Sequence, residues 1–125
     1  MSKKARQRKI ADNEARSYVK RIRISPQKLQ LVARAVKGMK AENAILQLGF
    51  LPKKGALFIK DAIKSAVANA ENNHGLDIDR LYIADARVSK SLVMKRFRAR
   101  ARGRGAKILK PFSNLEILVR EQQED

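Results

Sequence analysis

Five arginines stand at alternate positions between residues 96 and 104, where the chain reads Arg-Phe-Arg-Ala-Arg-Ala-Arg-Gly-Arg. Side chains on an extended strand alternate between two faces, so these arginines would share one face at a spacing of about 6.6 Å. A planar guanidinium meets a phosphate group through two hydrogen bonds and also stacks on a nucleobase. The spacing therefore predicts a one-sided cationic strand that binds a polyanion.

The segment around this arginine row is basic as well. Residues 87–115 carry ten lysines and arginines and no acidic residue. Phosphate groups would neutralise such a charge, so we predict a nucleic-acid partner, and a long irregular ribbon favours folded RNA over duplex DNA. With the basic residues near position 20, the predicted RNA-binding set is Lys20, Arg21, Arg23, Lys28, Arg87, Lys90, Lys95, Arg96, Arg98, Arg100, Arg102, Arg104, Lys107 and Lys110.

The composition of the whole chain excludes several classes of site. The 125 residues carry a net charge of +17 and contain no cysteine, which excludes disulfides, thiol catalysis and a thiolate zinc site. No apolar run approaches the length of about 18 residues that a membrane helix needs, so we expect no membrane partner. The basic residues at the N-terminus are not followed by the apolar region of a signal peptide.

The charge is concentrated in two segments on either side of a neutral middle. Residues 1–37 hold 12 basic and 2 acidic side chains, whereas residues 38–86 hold six of each. This layout is typical of a small folded body with charged extensions, and the length predicts a single domain. The predicted parts are a flexible basic tail at 1–14, a globular body at 15–86 and 107–120, an extended hairpin arm at 87–106 and an acidic tail at 121–125.

Hydrophobic periodicity predicts the elements that would position the basic residues. A strand over 18–24 precedes a helix that starts at Ser25-Pro26 and ends at Gly38. A short helix over 41–48 follows, and Pro52 opens a long helix that stops at Asn72-Asn73-His74-Gly75. The predicted buried positions of the two longer helices are Leu29, Val32, Ala33, Val36, Ile59, Ala62, Ile63, Ala66, Val67 and Ala70.

Two further strands are predicted at 81–91 and 107–120, where apolar residues alternate with polar ones. The predicted fold is therefore α+β, with a small three-stranded antiparallel sheet packed on three helices and a long protruding β-hairpin. Each hairpin arm from Ala86 to Arg98 would span roughly 40 Å, against a body diameter of roughly 30 Å. A two-stranded ribbon of that length is unstable alone in water, so we expect its partner to order it.

The chain lacks the residues that catalysis would need. The only histidine, His74, has no nucleophile or metal-ligand partners in the sequence, and we expect it at a helix C-terminus. Asp77, Asp79 and Asp85 could bind a cation, but their position near the start of a strand favours solvated loop and strand-edge residues. We therefore predict no enzymatic activity, no cofactor and no metal site.

Two features of the predicted hairpin leave alternatives open. Phe97 either stacks on an exposed nucleobase or packs across the ribbon on its partner strand. Gly103 and Gly105 lack the spacing of a phosphate-binding loop. They are predicted to mark positions where a neighbouring surface or a ligand comes close to the backbone.

Three segments together resemble the bacterial type of large-ribosomal-subunit protein family number twenty-two. The sequence Ser-Pro-Gln-Lys-Leu at 25–29 resembles the opening of the family's first helix. Residues 65–77, which read SAVANAENNHGLD, are similar to its central-helix signature, and residues 95–104 are similar to its hairpin tip. The resemblance covers roughly residues 15–120.

This resemblance implies a structural constituent of the large ribosomal subunit. Such a protein binds large-subunit ribosomal RNA, bridges RNA domains during assembly and lines the polypeptide exit tunnel with its hairpin tip. The implied partners are that RNA, neighbouring ribosomal proteins and the transient nascent polypeptide, without a homo-oligomer. The implied location is cytoplasmic and ribosome-bound, or an organellar ribosome. The residues that the resemblance assigns to the tunnel are Met94, Lys95, Arg96, Gly103, Arg104 and Gly105.

The chain departs from the family pattern at three positions. It has Ala99 where the tip commonly has proline, Asn114 where a histidine is usual, and Gly105 where alanine is usual. Two other functions remain open from the composition. A DNA-bending protein with a β-arm would be expected to carry a wedge proline at the arm tip. A cationic membrane-active protein would need a basic amphipathic helix, whereas the helix at 52–73 has a polar face of mixed sign.

Overall fold

The computed structural model describes residues 13–99, Gly103 and residues 105–122. Its elements are β1 (Glu14–Ile22), α1 (Pro26–Val36), α2 (Ala41–Phe50), α3 (Lys54–His74), a short 3-10 helix (Ile78–Arg80), β2 (Leu81–Ala99) and β3 (Gly105–Glu121). The predicted α+β class is confirmed, since three helices accompany a three-stranded antiparallel sheet.

The sheet has β3 at its centre, and β1 and β2 pair with it on either side. Alternate residues of the inner part of β3 are fully buried, namely Ser113, Leu115, Ile117 and Val119. The residues between them are only partly buried. One face of the sheet therefore packs against α1 and α3 while the other stays in contact with solvent, as an antiparallel sheet allows.

Helix α1 begins as the sequence predicts. The side chain of Ser25 accepts a hydrogen bond from the Lys28 backbone N–H at 3.4 Å, and Pro26 is the first helical residue. The predicted apolar face is confirmed, because the buried residues of α1 are Leu29, Val32, Ala33 and Val36. Gly38 follows the helix with a φ of +85°, a conformation that suits glycine.

Helix α3 lies close to the sheet because its buried stripe consists largely of small residues. The hydroxyl of Ser17 on β1 donates to the Ala62 carbonyl at 2.7 Å, which shows how near the two backbones are. The helix stops at His74, as predicted. Gly75 follows with a φ of +63°, and its N–H donates to the Glu71 carbonyl.

The first strand differs from its prediction because it contains a bulge. The pairing of β1 with β3 shifts register between Val19 and Ile22, and Arg21 within that interval has a φ of +61°. The Arg21 N–H donates to the Asn114 side-chain oxygen at 3.2 Å, which holds the bulge against β3. The simple alternation expected over 18–24 is therefore broken. Tyr18 is exposed to solvent, whereas Ile22 is buried.

Two acidic residues of the predicted tails, Glu14 and Glu121, lie in strands of the sheet. Glu14 is buried and accepts hydrogen bonds from the Arg120 guanidinium at 2.6–2.7 Å. Glu121 closes β3, and its carboxylate accepts from the Asp77 N–H at 2.9 Å. Residues 1–12 and 123–125 of the predicted tails lie outside the described residues.

Candidate nucleic-acid interface

The hairpin leaves the body where the third strand ends. The last partner of β1 on β3 is Ser113, whereas β2 and β3 continue to pair as far as Ala99 and Gly105. We call residues 93–99 and 105–111 the two-stranded ribbon. At 3.3 Å per residue each of its strands spans roughly 20 Å. The base of the predicted arm is thus supported by a third strand, and the part without that support is shorter than the sequence suggested.

The structure describes two of the five arginines in the row. Arg96 and Arg98 are in β2, which ends at Ala99. Because Ala99 pairs antiparallel with Gly105, the chain reverses its direction between these two residues. The other three arginines of the row, Arg100, Arg102 and Arg104, lie outside the described residues. At Arg96 and Arg98 the period of two therefore coincides with a strand, and for the other three arginines it stays a prediction.

Two of the four basic residues predicted on the body meet the base of the ribbon. Arg23 and Lys28 line a cleft together with Lys110 of β3. Lys20 lies apart from that cleft, and its ammonium is 5.8 Å from the centre of the Tyr18 ring, a cation–π distance. Arg21 is exposed at the bulge of β1.

Arg87, another predicted RNA-binding residue, is oriented by Asp85 two positions earlier. Its Nε donates to an Asp85 carboxylate oxygen at 2.6 Å, and the Lys37 ammonium is 3.5 Å from the other oxygen. Burial alone would raise the pKa of Asp85, but the Arg87 hydrogen bond and the charges of Lys37 and Arg87 outweigh it and lower that pKa. The Arg87 side chain remains 67% exposed, so its outer N–H groups face solvent.

Phe97 and Gly105 are neighbours across the ribbon. In the pairing register, Phe97 is opposite Lys107 and Ala99 is opposite Gly105, which makes Phe97 and Gly105 a diagonal pair. A β-carbon on Gly105 would overlap the Phe97 ring. The structure therefore supports packing of Phe97 across the ribbon. The Phe97 side chain nevertheless stays 75% exposed, so its ring remains accessible.

Of the residues that the resemblance assigns to the tunnel, Met94, Lys95, Arg96 and Gly105 belong to the ribbon, Gly103 lies between its two strands, and Arg104 lies outside the described residues. Met94 and Lys95 pair with Lys110 and Leu109 inside the ribbon, five and four positions before β2 ends. Gly103 has a φ of +70°, a conformation that favours glycine. Met94 is therefore placed near the base of the ribbon and not at its reversal. Lys90 and Lys95 are exposed lysines on β2, and the side chain of Lys107 is not described.

A cleft of about 800 Å³ lies between α1, the start of α3 and the base of the ribbon. It is lined by Arg23, Ile24, Ser25, Lys28, Leu31, Val32, Lys53, Lys54, Gly55, Met94, Leu109, Lys110, Pro111 and Phe112. Sequence reasoning missed this cleft because its walls come from three distant segments. Leu31, Met94 and Leu109 are exposed apolar residues that line the cleft, and no local sequence pattern connects them.

Neither a metal-binding cluster nor a membrane-spanning helix occurs in the described part of the chain. There, no three histidine or acidic side chains are grouped closely enough to hold a metal ion. None of the helices described is long and apolar enough to cross a membrane.

Comparison with known proteins gives matches along nearly the whole chain. The model of the ribosomal protein L22p/L17e family matches residues 17–120. The large ribosomal subunit protein uL22 of Maricaulis maris is 58% identical over 124 residues, which covers 99% of this chain and 98% of that protein. Proteins of the same name are 54% identical in Rhodospirillum rubrum, with 99% of this chain covered, and 52% identical in Rhizobium etli, with 98% covered.

Proposed function

The chain belongs to the ribosomal protein L22p/L17e family, and from this membership we propose that it is a structural, non-enzymatic protein of the large ribosomal subunit. In this proposal the protein binds large-subunit ribosomal RNA and is located on the ribosome, next to other ribosomal proteins. The family match favours this function over the DNA-bending and membrane-active alternatives that the composition left open.

The observation that carries the proposal is the charge of the ribbon and its base. From residue 87 to residue 115 the chain holds ten cationic side chains and no acidic one. The described backbone of this segment forms two paired strands, which project beyond the last residue of β1. Two strands alone bury little apolar surface. RNA phosphates would both neutralise the ribbon and order it.

We further propose that the ribbon connects separate parts of the RNA. The exposed cations on the body, among them Lys20 and Arg21, would bind one RNA segment, while those of the ribbon bind another. Such a two-point attachment would hold RNA domains together during assembly. The family resemblance supports a further step, in which the end of the ribbon lines the polypeptide exit tunnel and meets the nascent chain.

Deleting residues 92–105 tests the main proposal. Lys90 pairs with Ser113, so the deletion leaves residues 106–112 as a loop that can close the body. Circular dichroism should report a folded body, and binding to transcribed large-subunit RNA fragments at fixed salt should lose most of its affinity. A folded deletion variant that binds these fragments as tightly as the full chain would rule out the ribbon as the principal anchor.

A further inference from the structure

We propose that the cleft between α1, the start of α3 and the base of the ribbon binds a single unpaired nucleotide of RNA. Its base would lie on the apolar floor, and its flanking phosphates would contact the cationic rim. This inference rests on the proposed function and deepens it, because it assigns a defined type of contact to a part of the body.

The floor of the cleft is apolar and exposed. Leu31 of α1 is 60% exposed and Leu109 of β3 is 58% exposed. Both line the same cleft with Met94 and Pro111. A nucleobase has two flat faces whose removal from water is favourable, and bases turned out of a stack are held between aromatic or apolar side chains. The volume of about 800 Å³ lies in the range of roughly 300–1,000 Å³ of pockets that accept small molecules.

The rim of the cleft is cationic on each of its walls. Lys28 stands on α1, Lys53 and Lys54 stand at the start of α3, and Lys110 stands on β3. Among the described residues that line the cleft, none is acidic. Neither α1 nor α3 has an acidic residue in its first turn. The partial positive charge at the N-terminus of each helix therefore adds to the positive electrostatic potential at the cleft. Such a rim attracts an occupant with negative charge on more than one side.

An unpaired nucleotide matches this arrangement better than an acidic peptide does. A nucleotide within an RNA chain has an apolar base between two phosphates, whereas acidic side chains offer charge without a flat apolar surface. The cleft is also continuous with the ribbon, because Met94, Leu109 and Lys110 belong to both. RNA bound along the ribbon would therefore pass the mouth of the cleft.

The first test compares two leucines of nearly equal exposure in the full-length chain. Leu31 on the cleft floor is 60% exposed and Leu46 on α2, which does not line the cleft, is 62% exposed. Leu31→Glu places a negative charge where the nucleotide would bind and should weaken binding to large-subunit RNA fragments by about tenfold or more. Leu46→Glu adds the same charge elsewhere and should change the affinity by less than about threefold. Equal affinity of the two variants would overturn the proposal.

The second test uses small probes and does not depend on ribosomal RNA. The ¹⁵N-labelled full chain is titrated with adenosine 5′-monophosphate and, separately, with a hexaglutamate peptide. We expect the nucleotide to shift the amide signals of Ser25, Lys28 and Gly55, and Leu31→Glu to abolish these shifts. Shifts with hexaglutamate but not with the nucleotide would overturn the proposal in favour of an acidic protein segment. Shifts with neither probe would also overturn it.

The two tests separate this inference from the proposed function. If the full chain binds no large-subunit RNA fragment, the proposed function fails, whatever the nucleotide titration shows. If the full chain binds such a fragment and Leu31→Glu binds it equally well, only the cleft proposal fails.

Discussion

The ring of Phe97 lies over Gly105 on the neighbouring strand, in the space that a β-carbon at position 105 would occupy. Phe97 and Gly105 therefore fit each other, and the residue type at one position limits the choice at the other. The pair fixes a ring near the point where the chain reverses between Ala99 and Gly105.

Substituting Gly105 by alanine should move the Phe97 ring without unfolding the protein. The overlapping atoms are at the far end of a side chain that can rotate. We therefore expect the free energy of unfolding to change by less than about 1 kcal/mol. The nuclear Overhauser effects between the Phe97 ring and β3 should change. In Phe97→Ala/Gly105→Ala the ring is absent, so the second substitution should have no further structural effect on β3. An unchanged ring position in Gly105→Ala would contradict the packing described here.

Removing the hydroxyl of Ser113 should destabilise the body. Ser113 is fully buried, and its hydroxyl donates to the Ile24 carbonyl at 2.6 Å, which links β3 to the segment between β1 and α1. Ser113→Ala leaves that carbonyl without its donor. We therefore expect the free energy of unfolding, measured in urea, to fall by about 1–3 kcal/mol. Ser65 on α3 is exposed, and Ser65→Ala should stay within about 0.5 kcal/mol of the parent chain. Equal stability of the two variants would show that the Ser113 hydrogen bond contributes nothing.

The stability contributed by Asp85 should depend on pH in the acid range. The pKa of Asp85 is lowered in the folded protein because Arg87 and Lys37 outweigh the effect of burial. The ionised carboxylate therefore stabilises the fold above the unfolded-state pKa of about 3.9, and this contribution is lost as the pH falls through the lower folded-state value. The free energies of unfolding of the parent chain and of Asp85→Asn should differ near pH 7, and this difference should shrink below about pH 4. A difference that is constant with pH would contradict this assignment.

Lysines on the hairpin should matter more for RNA binding than lysines elsewhere. Lys90 and Lys95 on β2 are exposed, and so are Lys40 and Lys64 on the helical side of the body. Lys90→Ala/Lys95→Ala and Lys40→Ala/Lys64→Ala remove the same charge. Only Lys90→Ala/Lys95→Ala should weaken RNA binding strongly. It should also make the slope of log affinity against log salt shallower, by the amount that about two phosphate contacts contribute. For the parent chain, about ten such contacts predict a slope of roughly −7 to −9 in log affinity against log salt. Equal slopes for the two double variants would mean that RNA binding depends on net charge alone and not on where the lysines lie.

Local patterns in the sequence were sufficient to predict that three helices form, although α2 continues through Gly49 to Phe50 and α3 begins at Lys54 and not at Pro52. The cap at Ser25, the buried face of α1 and the stop of α3 at Gly75 each depend on residues within one or two helical turns. The alternation of Leu115, Ile117 and Val119 likewise identified the buried face of β3. These features could be predicted because hydrophobic periodicity and capping act over a few residues.

The features that were missed depend on residues far apart in the chain. The bulge at Arg21 is held by Asn114, 93 positions later, and no local pattern predicts that contact. The contact of Phe97 with Gly105 depends on the register between β2 and β3, which the sequence does not specify by itself. The pairing of Asp85 with Arg87 is different, because opposite charges two positions apart on a strand share a face and could have been predicted.

Directed hydroxyl-radical probing tests the central claim most directly. The chain has no cysteine, so Lys95→Cys on the ribbon and Ser65→Cys on α3 can each carry a tethered iron chelate within assembled large subunits. We predict strong cleavage of large-subunit RNA from position 95, at segments that position 65 does not reach. An absence of RNA cleavage from position 95, with cleavage from position 65 retained, would contradict the claim that the ribbon is the principal RNA anchor.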